Sequence, residues 1–431
     1  MSRGLWLVLC VALFSVEHGA VIFAQSGKSL TLKDAEDIAV KAHPRLGAAQ
    51  FLALAAKEVP TQIRSALYPT FYGSFTGALA DENTRIAAGG LNNPLILSRL
   101  ATGLTVGQMI TDFGRTSQLT KAYELRAEAQ ELSSQSTRAR ILLQVNRSYF
   151  AALRSQGVLR VAEQTVKARQ LVADQVTELA RSNLRSGLDV SFANVNLSEA
   201  KILLAAAQNS VEAAFADLSA ALGYQERQVF QLTEEPLAAA PGNELSALVN
   251  EAIQNRPELE SLRRELIASQ HLVEAERDLK LPTIGVVGSV GVLPTHVDIL
   301  RGSYSAIGFN VNIPIFNGHL FSARRAEADL KAQAASQEVR DLQNRVVQEV
   351  RIAWLDARTS YQRLDLTGEL LNQAGQALDL AQTRYDLGLS SIVELSQAQL
   401  NKTSAEISNV SAKYDCQIQT AMLSFQTGRL R

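Results

Sequence analysis

Two runs of helical sequence, each longer than a globular domain uses, limit what this chain can fold into. Between Arg115 and about Arg181 there is no proline and a single glycine, Gly157, and the pattern resumes from about Val190 to Leu222. A second run rises from about Leu320 to Tyr385 and returns to about Phe425. At 1.5 Å per residue the ascending legs are about 100 Å long. Helices of that length predict coiled-coil packing. Leu364, Leu371, Leu378 and Tyr385 recur every seven residues, with Thr367, Ala374 and Ala381 interleaved. The return leg answers with Ile407, Val410, Tyr414, Ile418, Ala421 and Phe425. A seven-residue seam implies left-handed supercoiling. In the first run Val172, Val176 and Leu179 rise, and Val211, Phe215, Leu218 and Leu222 return. Alanines beside these seams, such as Ala205 to Ala207, permit a helix to pack on two neighbours at once, as a closed helical cylinder requires.

The breaks between legs are short and glycine-centred: Arg181 to Val190 around Gly187, and Arg384 to Val393 around Gly388. They read as the tips of two matching hairpins, with both glycines expected in left-handed turn positions. Further landmarks show that the chain is built twice. Pro44 and Pro257 are 213 residues apart, as are Pro69-Thr70 and Pro282-Thr283. Asp112-Phe113-Gly114 answers Phe316-Asn317-Gly318 at 204, Val145 and Tyr149 answer Val350 and Trp354 at 205, and Gly187 answers Gly388 at 201. A tandem duplication accounts for these spacings, with a longer insertion in the first copy between residues 70 and 112. The first repeat is placed at 25–242 and the second at 243–431, with helical hairpins at 115–222 and 320–425. Each opens with a short helix before its proline. In the first, Thr31 is the expected N-cap with Asp34 completing the box, and His43 the expected C-terminal cap. Gly223 to Glu244 reads as a linker.

Between each proline helix and its hairpin lie two strands with period-2 apolar alternation, at about 68–79 and 100–111, then 282–292 and 304–316. Phe71, Phe75, Val286, Val290, Ile307, Phe309, Val311 and Ile313 share apolar faces, opposed by glycines and small polar residues. Such strands suit a barrel with a wet interior. Four strands cannot close one, and an open edge cannot sit in lipid, so a membrane role requires several chains to share a barrel. Tyr68 and Tyr304 are expected in interfacial aromatic belts.

Residues 1–24 read as a secretory signal: an apolar run from Leu5 to Phe14, too short to span a membrane and followed by Glu17 and His18, ahead of Ala24. That leaves one cysteine, Cys416, and no intrachain disulfide. The 42 basic and 43 acidic residues balance, which argues against nucleic acid as a partner. No nucleophile, phosphate-loop or zinc motif occurs, the five histidines are scattered, and no cofactor is expected.

The ordered set of proline helix ends, the strand starts Leu67-Tyr68-Pro69-Thr70 and Leu281-Pro282-Thr283, Asp112-Phe113-Gly114, Ile313-Pro314-Ile315-Phe316-Asn317-Gly318 and the Tyr385-Asp-Leu-Gly388 tip resembles the TolC family of outer-membrane factors. The resemblance implies a mixed α/β membrane protein: a homotrimer whose three chains, four strands each, form a 12-stranded outer-membrane β-barrel continuous with a coiled-coil α-helical barrel across the periplasm. It implies an exit duct for efflux or type I secretion, with outer-membrane lipid, a periplasmic adaptor and an inner-membrane pump as partners. Carried over by position, Tyr385 matches a tyrosine that holds the entrance shut, and Glu394 an acidic ring. Gln397 is neutral where another acid can stand. The tyrosine's acidic partner position is Ala193 here, and the arginine position of the same lock is Ser390. Asp189 is a possible substitute acid, and closure is expected to lean on packing of Leu188 and Leu389. Arg185, Gly187, Leu188, Gly388 and Leu389 are the expected adaptor-docking tips. The competing reading is a secreted coiled-coil filament subunit without channel activity; it needs the helices but not the alternating strands.

Overall fold

The computed structural model describes residues 29–81, 97–237, 239–242 and 244–430; the expected signal segment and most of the first strand-to-strand loop lie outside them. The chain begins with β1 (Ser29–Leu30), α1 (Leu32–Ala42) and α2 (Pro44–Arg64), followed by β2 (Thr70–Ala78) and β3 (Arg99–Thr111). The first hairpin is α3 (Arg115–Arg181) and α4 (Gly187–Leu222), after which comes β4 (Gln231–Leu232). The same plan then repeats as α5 (Leu245–Asn255), α6 (Pro257–Arg277), β5 (Thr283–His296), β6 (Ser303–Asn312), α7 (Leu320–Asp386) and α8 (Ile392–Gln426).

The duplication is held to the residue. α1 and α5 are 11 residues each, α2 and α6 are 21, and α3 and α7 are 67. α1, α2 and the start of β2 are offset by 213 residues from α5, α6 and the start of β5; from the strand–helix turn onward the offset is 205. Left-handed Phe113 and Gly114 correspond to left-handed Gly318 and His319, which replaces the 204-residue pairing of the motifs. At the tips, left-handed Gly388 (φ 73°) corresponds to left-handed Asn183 (φ 56°). Gly187 has no positive φ and is the first residue of α4. The 201-residue pairing was therefore out of register, because the glycine needed at the second tip is replaced at the first by asparagine, the side chain that best tolerates that conformation.

Each repeat is rooted the same way. Thr31 caps α1 in a complete box with Asp34, and His43 ends α1 and caps α2, its Nδ1 accepting from the Arg45 amide at 3.2 Å. Against the α1–α2 junction lies Gly223 (φ 92°), where a Cβ would come within 3.1 Å of His43 Cα. Gly428 (φ 74°) stands in the same relation to the α5–α6 junction, a Cβ there meeting the Asn255 carbonyl carbon at 3.0 Å. Both positions forbid a side chain twice over, by torsion and by contact. The aromatic pair is also repeated in role. The Tyr149 hydroxyl lies 2.8 Å from the Leu30 carbonyl and 2.7 Å from that of Thr233, beside the parallel β1–β4 pair. Burial, the leading cause, pushes it up to about 12. Trp354 Nε1 donates to the Gly242 carbonyl at 2.9 Å. The linker is thus strapped to the helices at mid-height, a feature that its composition did not show.

The four long strands form one antiparallel sheet in the order β2-β3-β5-β6. Register places Phe71 opposite Val106, Leu104 opposite Val290 and Val286 opposite Phe309 on one face. The other face carries Ser74 opposite Gly103, Thr105 opposite Ser289 and Gly285 opposite Asn310. Tyr304 belongs to this second face, over Gly103 and Gly291. It is therefore no part of a lipid-facing belt; two facing glycines leave the trough into which its ring drops. On the sheet side of the strap, α3 packs on α2 and α6, and α6 on α7; toward the tips, α4 packs on α3, α3 on α8 and α8 on α7. Thr367, Ala374, Ala381 and Tyr385 are the fully buried part of the α7 seam. Gly157 lets α8 approach α3, since a Cβ there would lie 2.6 Å from Val410 Cγ1.

Candidate functional site: the hairpin tips

Both tips end in the same backbone turn. The Leu184 amide donates to the Leu179 carbonyl at 2.9 Å and that of Leu389 to Arg384 at 2.8 Å, closing a Schellman-type cap whose pivot must adopt positive φ. A serine then caps each descending helix: Ser186 for α4 and Ser391 for α8. With Asp189 and Glu394 three residues on, both tips carry a box pattern that a reading centred on glycine missed.

The side chains then diverge. Asp189 closes its box, its Oδ2 accepting from the Ser186 amide at 3.0 Å and its hydroxyl at 2.9 Å. It is committed to its own helix end and does not hydrogen-bond Tyr385; the substitute-acid role is not what this geometry shows. Glu394 instead turns to Arg384 Nε at 3.2 Å across its own tip. Gln397, further down α8, bonds Asn401 at 3.0 Å and is exposed.

Tyr385 is the centre of the site. It is 4% exposed, packed with Ala173, Val176, Ala193, Leu197, Ile392 and Leu395. Ala193, where an acid was sought, is 2% exposed and part of this apolar packing. Arg185 reaches over from the first tip. Its Nη2 donates to the Tyr385 carbonyl at 2.7 Å, and its guanidinium stands 4.1 Å from the ring centroid. Arg185 and Ser390 are repeat equivalents, 205 apart, so the cation absent from the second tip is supplied by the first. The Tyr385 hydroxyl and the Ser390 Oγ are buried with no hydrogen-bond partner among the described residues. Burial is the main reason the Tyr385 hydroxyl is pushed up; Asp189 and Asp386 add to it and Arg185 opposes it. Leu188 and Leu389 are 65% and 67% exposed and stand outside this core. Gly388 and Gly187 have open space around them. Tyr385 also lines a cleft of about 960 Å³ between α3 and α7, whose wall includes the apolar Leu171 and Leu378 and the acids Asp174, Glu178 and Asp379.

One face of apolar residues and one of small polar residues on a four-stranded sheet, set on two coiled-coil hairpins of about 100 Å, define a membrane channel with a long helical conduit. The model of the outer membrane efflux protein family matches residues 37–224 and again 248–429, once for each repeat. The chain belongs to that family. Outer membrane protein TolC of Salmonella enteritidis is 22% identical over 353 residues, covering 80% of this chain and 71% of the relative. Outer membrane efflux protein BepC of Brucella suis biovar 1 is 25% identical over 342 residues, covering 76% and 72%. A membrane protein of Pseudomonas aeruginosa has a similar fold, with a TM-score of 0.80 at 21% identity over 92% of this chain and 93% of that one. The protein is an outer-membrane channel of the efflux and type I secretion kind, its sheet in the outer membrane and its helices in the periplasm, and the filament reading falls away.

Proposed function

We propose that three copies of the chain close one channel, and that its periplasmic entrance is held shut by the Arg185–Tyr385 contact. The sheet order carries the reading. Among the described residues β2 and β6 each pair on one edge alone, and an open edge is not tolerated in lipid. The helices are open at matching places. On α4, Leu188, Val195 and Ile202 are exposed at heptad spacing; on α7, Leu366 and Leu380, with Leu387 just past its end, are exposed on a single heptad line. These faces suit α4 of one copy against α7 of the next. Three chains of four strands give twelve, above the eight of the smallest membrane barrels.

At the entrance, Tyr385 plugs the apolar core between the tips and Arg185 clamps its backbone and ring. Leu188 and Leu389 are exposed and outside the packing around Tyr385 within one chain, so closure through them lies between copies or against an adaptor. The exposed tips (Arg185, Gly187, Leu188, Gly388, Leu389) dock a periplasmic adaptor tied to an inner-membrane pump, and Glu394, three times around the axis, gives the entrance a preference for cations. A native mass measurement in lipid nanodiscs tests the assembly: three chains are expected, and a stable monomer overturns it. Photo-crosslinking from position 188 or 389 in cells is expected to capture an adaptor; capture of none overturns the docking role.

A further inference from the structure

The end of the sheet away from the helices holds a hollow that the entrance chemistry leaves unused. Thr76 pairs with Ala101 on the polar face, and a register shift between Leu100 and Thr102 brings Leu293 beside them. Tyr304 lies over Gly103 and Gly291 as the floor, made possible because neither glycine has a side chain. One rung further out stands Arg99, paired with Ala78 on one side and His296 on the other. Arg301, on the turn between β5 and β6, faces the same space, about 780 Å³ in volume. Among the described residues no carboxylate lines it: Asp81 and Asp298, the acids nearest in sequence, are not part of its wall. Neither arginine forms an ion pair among the described residues.

We infer that this hollow is an anion site at the channel's exit, built for a phosphate-class group. Two guanidiniums on one concave wall offer planar, permanently charged donor forks, the side chains best matched to phosphate oxygens. The Thr76 hydroxyl adds a neutral donor. The two glycines beneath Tyr304 let its ring lie flat and keep the hollow open without introducing a competing acid. The ligand is a solute inside the channel rather than a lipid headgroup, because the hollow is on the polar face. The lipid-facing side of the same strands carries Phe75, Leu104, Val292 and Phe309. The exit would then hold charge opposite in sign to Glu394 at the entrance, which disfavours return of cations and gives anionic solutes a last station before release. Access from the lumen rests on the shared-barrel reading; the hollow itself lies within one chain.

The test uses the full-length protein and inorganic tripolyphosphate. In planar bilayers, tripolyphosphate added on the barrel side is expected to block current at lower concentration than from the tip side. R99Q and R301Q should each raise the half-blocking concentration about tenfold, the worth of one charge-assisted hydrogen bond, and R301K should restore most of the block. Equal block from both sides, or block unchanged in the R99Q/R301Q double variant, overturns the site. Absence of any pore would count against the shared barrel instead. Calorimetry of detergent-solubilised protein then decides the site: binding in wild type that is lost in the double variant supports it, and equal heats in both overturn it.

Discussion

The two repeats are alike at their roots and different at their tips. At the roots, Gly223 and Gly428 touch equivalent backbone at the α1–α2 and α5–α6 junctions with nearly the same torsion. At the tips, backbone turns and serine caps correspond, yet Arg185 answers Ser390, Asn183 answers Gly388 and Ala180 answers Tyr385. Close packing allows little drift at a root, since each substitution meets backbone that cannot move aside. A tip is free to divide labour. One now supplies a cation and a self-contained helix cap; the other supplies the buried aromatic and a carboxylate turned outward. A gate made from two copies needs this asymmetry, because two identical tips would offer either two cations or two tyrosines.

The largest expected effect breaks the likeness of the roots. G428A and G223A each force an L-residue into positive φ and press a Cβ on backbone at 3.0–3.1 Å. Strain and overpacking together cost roughly 2–5 kcal/mol. Thermal unfolding of the two variants should show similar losses. A loss in one alone would mean the roots are not equivalent.

The roots do differ in charge, which sets the second prediction. Where the first repeat has His43 and Arg45, the second has buried Arg256 and Glu258. Arg256 bonds Glu349 at 2.5 Å and Glu258 at 2.8 Å, while Glu258 also takes bonds from Arg140 and from Ser136 at 3.0 Å. Burial alone raises the Glu258 carboxyl, but Arg140, Arg256 and Ser136 outweigh it and hold it below its ordinary 4.5. A depressed carboxyl contributes stability in full above the ordinary value and loses it as pH falls through the native one. Acidification below about pH 4.5 should therefore cost wild type more than E258Q, by about the 1.5–3 kcal/mol of a charge-assisted bond. Parallel pH curves would remove Glu258 from the account. Glu36, in the first root, runs the other way. Burial dominates and raises its carboxyl, Asn146 opposing, so its protonated form stabilises at low pH and that contribution fades as pH rises through the raised value.

The third prediction concerns the clamp. R185A removes a hydrogen bond and a cation–π contact, about 1–2 kcal/mol together. The closed-to-open ratio should fall about 5- to 30-fold, read as higher conductance. Moving the cation to its repeat equivalent, R185S with S390R, asks whether one chain needs it on the first tip. Conductance equal to wild type in R185A would end the clamp, as no change in Y385A would end the role of Tyr385.

Much of this was legible from spacing. Period 7 located the hairpins and their seams, and period 2 located the four strands and their two faces, because each reports a repeating physical environment. The family pattern located Tyr385. What escaped was anything set by contact between distant segments. Arg185 was recognisable as a tip residue, but its place over Tyr385 depends on how the two hairpins meet, 200 residues apart. Tyr304 has the look of a belt residue until register sets it against Gly103 and Gly291. The pairing of Gly187 with Gly388 failed for a different reason: glycine is a marker of positive φ, and at the first tip the marker is Asn183.

The smallest expected effect sharpens the contrast between the two carboxylates at the third position of their helices. Asp189 completes a capping box, so D189A should destabilise the first tip by about 1 kcal/mol. Glu394 leaves its box open for an exposed pair with Arg384, both side chains nearly half exposed; such a pair is worth under about 1 kcal/mol and is screened by salt. E394A should therefore leave tip protection in amide hydrogen exchange almost unchanged while altering ion selectivity, and D189A should do the reverse. The discriminating measurement is salt dependence. If Glu394 is held for the permeating ions rather than for the helix, the selectivity change on E394A shrinks with ionic strength, while the D189A exchange difference, which comes from hydrogen bonds to the Ser186 amide and hydroxyl, persists.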